Sequence, residues 1–222
     1  MSKNTRETSS GTGNPVPGER EETLISLVAF LVVIILLSAT YARNVLWRDS
    51  VRLWQDAIIK SPKKLRPRYN LATCYEALGF LDLAAESYQA VINLKPDDAK
   101  AHNNLGNVYL NLGRPKEAIT EFQIAINLNP DAPLTHDNLG YIYFKQGRLN
   151  EAVKEYQTAI KLAPDIADVH NNLGYVYFTQ GRFKDAAEEY QTALKLKPGF
   201  PAALDNMRLL SQAMSRHHRP ER

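Results

Sequence analysis

Only one cysteine, Cys74, occurs in 222 residues, which excludes an intramolecular disulfide scaffold and the paired thiols of a cysteine zinc site. Its plain reading is a small core residue. An excess of one charge is also missing. The formal net charge is +3, spread along the chain, and no nucleic-acid partner is expected. His, Ser, Asp and Glu do not fall at the spacings of a metal site or of a nucleophile with its base. No catalytic residue, metal or cofactor is therefore expected, and the chain is read as no enzyme. Hydrophobic residues make up 44% of the sequence, enough for one or two domains with an ordinary core.

Residues 1–22, MSKNTRETSSGTGNPVPGEREE, hold Ser, Thr, Gly, Pro and charge with almost nothing to bury, and are expected to form a disordered tail. Residues 23–42, TLISLVAFLVVIILLSATYA, then run without a charge. As a helix rising about 1.5 Å per residue they reach roughly 30 Å, the thickness of a bilayer core. Acidic GEREE precedes them where a cleaved signal carries basic residues, so an uncleaved transmembrane anchor in the lipid bilayer is expected. Residues 43–64 follow as an amphipathic linker helix, with Trp47, Val51, Trp54 and Ile58 on one face and a stop near Ser61 and Pro62. From Arg43 to Arg68 eight Lys or Arg stand against Asp49 and Asp56, a cluster that suits anionic headgroups and a solvated face equally.

A period of 34 residues organises the remainder. Pro96, Pro130, Pro164 and Pro198 set four units: 65–98, 99–132, 133–166 and 167–200. Counting positions from each start, position 8 is Ala72, Gly106, Gly140 and Gly174, position 11 is always Tyr, and position 15 is always Gly. Position 20 is always Ala, and position 24 is Tyr88, Phe122, Tyr156 and Tyr190. Small residues at 8 and 20 let two helices approach, aromatics at 11 and 24 fill the space beside them, and the glycine at 15 ends the first helix. Trp54 and Ala57 fall at positions 24 and 27 of a unit ending at Pro62, so 44–60 reads as the second helix of a degenerate leading repeat. Residues 201–214 place Leu204, Met207, Leu210 or Ser211, and Met214 on one stripe and are expected to cap the stack, leaving 215–222 as a disordered basic tail.

These positions resemble the tetratricopeptide repeat family over Leu65 to Phe200. The resemblance implies an all-α fold: a tetratricopeptide-repeat superhelix, or α-solenoid, here preceded by one transmembrane helix, with first helices lining a concave face. The stretch TYARNVLWRDSVRLWQDAIIKSPKKLRPRYNLAT also resembles the junction in multi-pass, glycosyltransferase-like membrane proteins that carry such repeats after their last membrane helix. This chain has one membrane segment and none of their catalytic region, so no transferase activity is inherited.

HNNLG at 102–106 returns as HDNLG at 136–140 and HNNLG at 170–174. The histidines sit at position 4, where the family packs a large residue inside the hairpin. Successive units stack at roughly 8 to 10 Å, too far for three imidazoles to meet on one ion at about 2.0 to 2.1 Å, and a packed structural role is expected. Asparagine costs a helix interior about 0.5 to 0.7 kcal/mol relative to Ala, yet position 6 is Asn70, Asn104, Asn138 and Asn172. An amide offers an acceptor and two donors, enough to pair with an extended peptide backbone whatever its sequence. In the resembling family, notably in O-linked N-acetylglucosamine transferases, asparagines at this position do so; Asn is also frequent there in repeats that hold no peptide. Asn107, Tyr141 and Tyr175 at position 9 complete the expected peptide-binding set, with Phe144 and Phe178 making the C-terminal half of the groove aromatic. The carboxylate clamp of chaperone-binding members is absent, since only Asn104 matches it.

The chain is accordingly expected to be a membrane-tethered scaffold or adaptor that binds a peptide segment of a partner protein in the concave groove. A structural or assembly subunit of a larger membrane complex, and a substrate-presenting arm beside a glycosyltransferase-like partner, are the alternatives. Arg43, Arg48, Arg52 and Lys60 follow the anchor while Arg20 alone precedes it, which places the repeats on the cytoplasmic side. The glycosyltransferase-like relatives argue for the extracytoplasmic side.

Overall fold

The computed structural model describes residues 17–217, apart from the side chains of 17–24, 39, 42–48 and 216–217. The disorder expected at 1–16 and 218–222 lies outside the described residues. Ten α-helices and no strand occur among the described residues. The chain divides into two units, 1–49 and 50–222.

The sequence reading separates a tail, an anchor and a linker helix before residue 64, whereas α1 (Pro17–Lys60) runs through all three without a break. Pro17 opens it, where a missing N–H has no intrahelical partner to lose, and neither Gly nor Pro occurs from 19 to 60 to interrupt the ladder. In the N-terminal unit every large apolar side chain from Ile25 to Leu37 is exposed. Ser38 Oγ donates to the Ile35 carbonyl (2.9 Å) and Thr40 Oγ1 to that of Leu36 (2.8 Å). Among the described residues no helix is long and apolar enough to cross a membrane, so the structure does not show the expected anchor.

The C-terminal unit pairs α2 (Leu65–Leu78) with α3 (Leu81–Leu94), and α4 (Ala99–Asn111) with α5 (Pro115–Leu128). It continues with α6 (Pro133–Lys145) against α7 (Leu149–Leu162) and α8 (Ala167–Thr179) against α9 (Phe183–Leu196), and closes on α10 (Pro201–His217). Each hairpin turns at its position-15 glycine. Gly113 has φ 71°, its N–H bonds the Leu110 carbonyl (3.0 Å), and the Arg114 N–H reaches back to Tyr109 (2.8 Å). A Cβ there meets nothing, so it is the backbone angle that demands glycine.

Position 8 is the opposite case. A Cβ on Gly106, Gly140 or Gly174 would stand 2.7, 3.0 or 2.8 Å from the ring of Phe122, Tyr156 or Tyr190. Those rings are fully buried, each contributing on the order of 1.5 to 3 kcal/mol, and the glycine lets the two helices close on them. Unit one pairs Ala72 with Tyr88 instead, both buried.

The three histidines are buried and tie hairpin to hairpin. Nδ1 of His102, His136 and His170 lies 2.6, 2.7 and 2.6 Å from the carboxylates of Glu121, Glu155 and Glu189 on the second helix of the same hairpin. Nε2 lies 3.0, 3.1 and 3.0 Å from the carbonyls of Pro96, Pro130 and Pro164 in the preceding unit. Each ring thus faces an oxygen acceptor on both sides, one in its own hairpin and one in the unit before. Arg68 holds this place in unit one and donates from Nη2 to the Pro62 carbonyl (3.0 Å). At the end of α1, Gln55 Nε2 donates to Tyr75 OH (3.1 Å), as Gln157 does to Tyr177 (3.0 Å), the pairing of a second helix with the next hairpin. Cys74 is buried, which pushes its thiol up in pKa against a hydrogen bond with Trp54.

The cap departs from the expected stripe. Ala203 and Leu210 are buried and Met207 half-buried, but Leu204 (46%) and Met214 (37%) are exposed. α10 packs on α8 and α9 as a first helix does. Leu204 therefore occupies position 4, over which no second helix closes among the described residues. The helix also continues to His217, past the expected end at 214.

Candidate functional site

Positions 5 and 6 of successive first helices meet. Asn138 Nδ2 donates to Asn103 Oδ1 (3.4 Å), Asn172 Nδ2 to Asp137 Oδ1 (3.1 Å) and Asn206 Nδ2 to Asn171 Oδ1 (2.9 Å). The position-6 amide, which the sequence alone connects only with a ligand, thus joins one hairpin to the last. Position 5 supplies an acceptor, which Asn and Asp do equally well, and HDNLG and HNNLG are equivalent there. The rungs shorten toward the C-terminus, the first being long for a hydrogen bond. Asn103 Nδ2 also reaches Asn104 Oδ1 (3.4 Å). At the first junction Tyr69 occupies position 5 and donates to Asp98 Oδ1 (2.5 Å), which also accepts the Ala101 N–H (3.1 Å). Burial opposes ionisation of Asp98, but these bonds and Lys95 hold its carboxyl below the usual range. Burial instead pushes Asp137 above that range, with Asn172 opposing and Asp168 adding.

Two hollows open on this face. The larger, about 600 Å³, brings together the expected Tyr141, Phe144, Asn172 and Tyr175 and adds Lys145 and Asn206. The smaller, about 390 Å³, includes the expected Asn104 beside Lys100 and Leu134. Asn70, Asn107 and Asn138 are half-buried and line neither. Asn206 was legible, since it stands 34 residues after Asn172; Lys145 carried no signal. Phe144 meets Tyr175 edge-on at 5.4 Å, and Tyr175 stacks on Phe178 at 6.3 Å, so the aromatics form a wall across two hairpins. Among the described residues no group of three His, Cys, Asp or Glu is placed to hold a metal ion.

Helix hairpins of constant length, bonded one to the next and exposing a face of amides and aromatics, define an α-hairpin repeat protein. Family models agree: a TPR repeat model matches residues 74–113 and 140–181, and tetratricopeptide repeat models match 99–132 and 167–200. The chain belongs to the tetratricopeptide repeat family. The junction stretch that resembles glycosyltransferase-like proteins lies before the first matched residue. No curated protein matches the chain. Solved structures do. PilF of Pseudomonas aeruginosa is 17% identical with a TM-score of 0.69, covering 82% of this chain and 83% of that one. MamA residues 41 to the end, from Desulfovibrio magneticus RS-1, is 21% identical with a TM-score of 0.63, covering 70% and 88%. YrrB, described as a TPR protein with an unusual peptide-binding site, is 20% identical with a TM-score of 0.61, covering 73% and 84%. At these identities the likeness is one of fold.

Proposed function

We propose that the chain is a non-enzymatic interaction scaffold whose first-helix face holds an extended peptide segment of a partner protein. The observation that carries this reading is the convergence of Tyr141, Asn172 and Tyr175 on one hollow, whose volume of about 600 Å³ lies within the span of ligand sites. Asn138 and Asn172 each commit one N–H to the ladder, which leaves a second N–H and the carbonyl oxygen for a peptide backbone. Asn70, Asn104 and Asn107 hold the equivalent register in units one and two. YrrB, a relative in fold, is described as having a peptide-binding site. Tyr141→Ala with Tyr175→Ala should weaken capture of a partner peptide about tenfold or more while helical circular dichroism stays unchanged. Unaltered capture would remove the groove from the reading.

A second observation favours tethering of this scaffold to a lipid bilayer. The large apolar side chains from Ile25 to Leu37 are all exposed, a contiguous apolar surface that a bilayer would cover. Together with the uncharged run over 23–42, this supports a single membrane pass, and Arg43, Arg48, Arg52 and Lys60 after that run favour the cytoplasmic side for the repeats. The full chain should resist alkaline carbonate extraction from membranes, and its repeats should be cleaved by protease added to the cytoplasmic face of sealed vesicles. Release by carbonate would end the tethering reading; protection of the repeats would invert the orientation.

A further inference from the structure

We infer that the peptide held at the larger hollow presents an aromatic or bulky aliphatic side chain with a carboxylate side chain beside it; this rests on the groove reading. The apolar half of the recognition comes from the wall. Tyr141 and Tyr175 are about two-fifths exposed (42% and 39%), whereas the same position in units one and two is Thr73 and Asn107. Tyr175 is held between Phe144 and Phe178, and Phe178 is held in turn by Phe183 at 5.8 Å. A wall fixed in advance loses little entropy on binding a ring.

The rest of the lining is largely polar: the phenol of Tyr156 and the amides of Asn171, Asn172 and Asn206 border the hollow beside the wall. Amide groups that the ladder does not use are left to pair with the peptide.

Charge selects the remaining feature. Lys145 is the only charged residue lining the larger hollow, as Lys100 is for the smaller. Lys145 makes no ion pair among the described residues, while Arg208 nearby in α10 already pairs with Asp205 (3.0 Å). Asp137 accepts from Asn172 and lines neither hollow, and Asp168, which acts on it, pairs with Lys197 (3.9 Å). Lys145 is thus the one charge on the lining of the hollow, and it attracts a carboxylate and repels an ammonium.

The test selects from a display library of random 12-residue peptides on the immobilised full chain in detergent micelles. Enriched sequences are resynthesised with fluorescein and titrated by anisotropy. Selected peptides should carry Phe, Tyr, Trp or Leu with Asp or Glu within about two residues, and exchanging that acid for Lys should weaken binding roughly tenfold. Lys145→Glu should do the same and restore the Lys-bearing peptide. Both Lys145 and Tyr175 are exposed, so neither substitution threatens the fold. Peptides that depend on Tyr175 but ignore Lys145→Glu would overturn the charge assignment and leave the groove intact. No enrichment, or binding indifferent to Tyr175→Ala and Lys145→Glu alike, would overturn the groove reading itself.

Discussion

The amide ladder makes a differential prediction for Asn172→Ala and Asn138→Ala, two substitutions identical in the sequence pattern. Asn172 donates to the carboxylate of Asp137 at 3.1 Å, and a hydrogen bond to a charged acceptor is worth about 1.5 to 3 kcal/mol. Asp137 is only half-buried, so the low end of that range applies. Replacing Asn by Ala in a helix returns about 0.6 kcal/mol, leaving a net loss of roughly 1 kcal/mol. Asn138 donates to a neutral amide at 3.4 Å, worth about 0.5 kcal/mol, which the gain in propensity cancels. Urea denaturation of the full chain, with a slope of about 2 kcal/mol/M, should then show a midpoint lowered by roughly 0.5 M for Asn172→Ala and unmoved for Asn138→Ala. Because repeat stacks lose stability interface by interface, amide hydrogen exchange should accelerate about fivefold in α6 and α8 and less elsewhere. Equal shifts in the two variants, or a larger one for Asn138→Ala, would show that the ladder does not set these energies.

Gly174→Ala should destabilise by about 1 to 3 kcal/mol, because its Cβ would stand 2.8 Å from the buried Tyr190 ring; thermal unfolding measures it, and Tyr190→Leu in the same chain should restore part of the loss. Asp137→Asn should stabilise at neutral pH. The folded state raises the pKa of this carboxyl, so it favours the protonated form and loses stability as pH rises through the folded value. The advantage of the Asn variant should therefore shrink as pH falls toward the usual carboxylate range, as urea midpoints across that range would record. His136→Phe keeps a buried ring but removes the bonds to Glu155 and to the Pro130 carbonyl, and should cost about 2 kcal/mol in denaturant midpoint.

The repeats were legible because their signals are local. Gly113, Gly106 and Ala118 each act within one hairpin, where the 34-residue count aligns them. Bonds between separate helices left a fainter trace. His102 with Glu121, His136 with Glu155 and His170 with Glu189 recur at a separation of 19, but neither period of a helix brings 19 residues together, so only the folded hairpin pairs them. The ladder from Asn172 to Asp137 spans 35 residues, one more than the repeat, and hides inside the period itself. At the cap the pattern misled for a different reason. A stripe through Leu204 and Met214 fits a helix taken alone, but burial is set by α8 and α9, which cover Ala203 and Leu210 and leave Leu204 exposed.

The ladder also bears on where a ligand sits. A position-6 amide held at 3.4 Å, as in Asn138, is loosely oriented, whereas Asn172 and Asn206 are fixed at 3.1 and 2.9 Å. A fixed amide presents its remaining N–H and carbonyl oxygen in one direction, and a peptide backbone meeting it loses less entropy. The tighter rungs lie at the same end as the aromatic wall, where Tyr141 and Tyr175 stand in place of Thr73 and Asn107. If the proposed groove holds a peptide, backbone and side-chain recognition would therefore favour the same three helices, α6, α8 and α10. Asn104 and Asn107 keep the register of a binding residue at the other end without either advantage, so a partner segment should make its first and tightest contacts at the C-terminal half and extend toward unit two only afterwards.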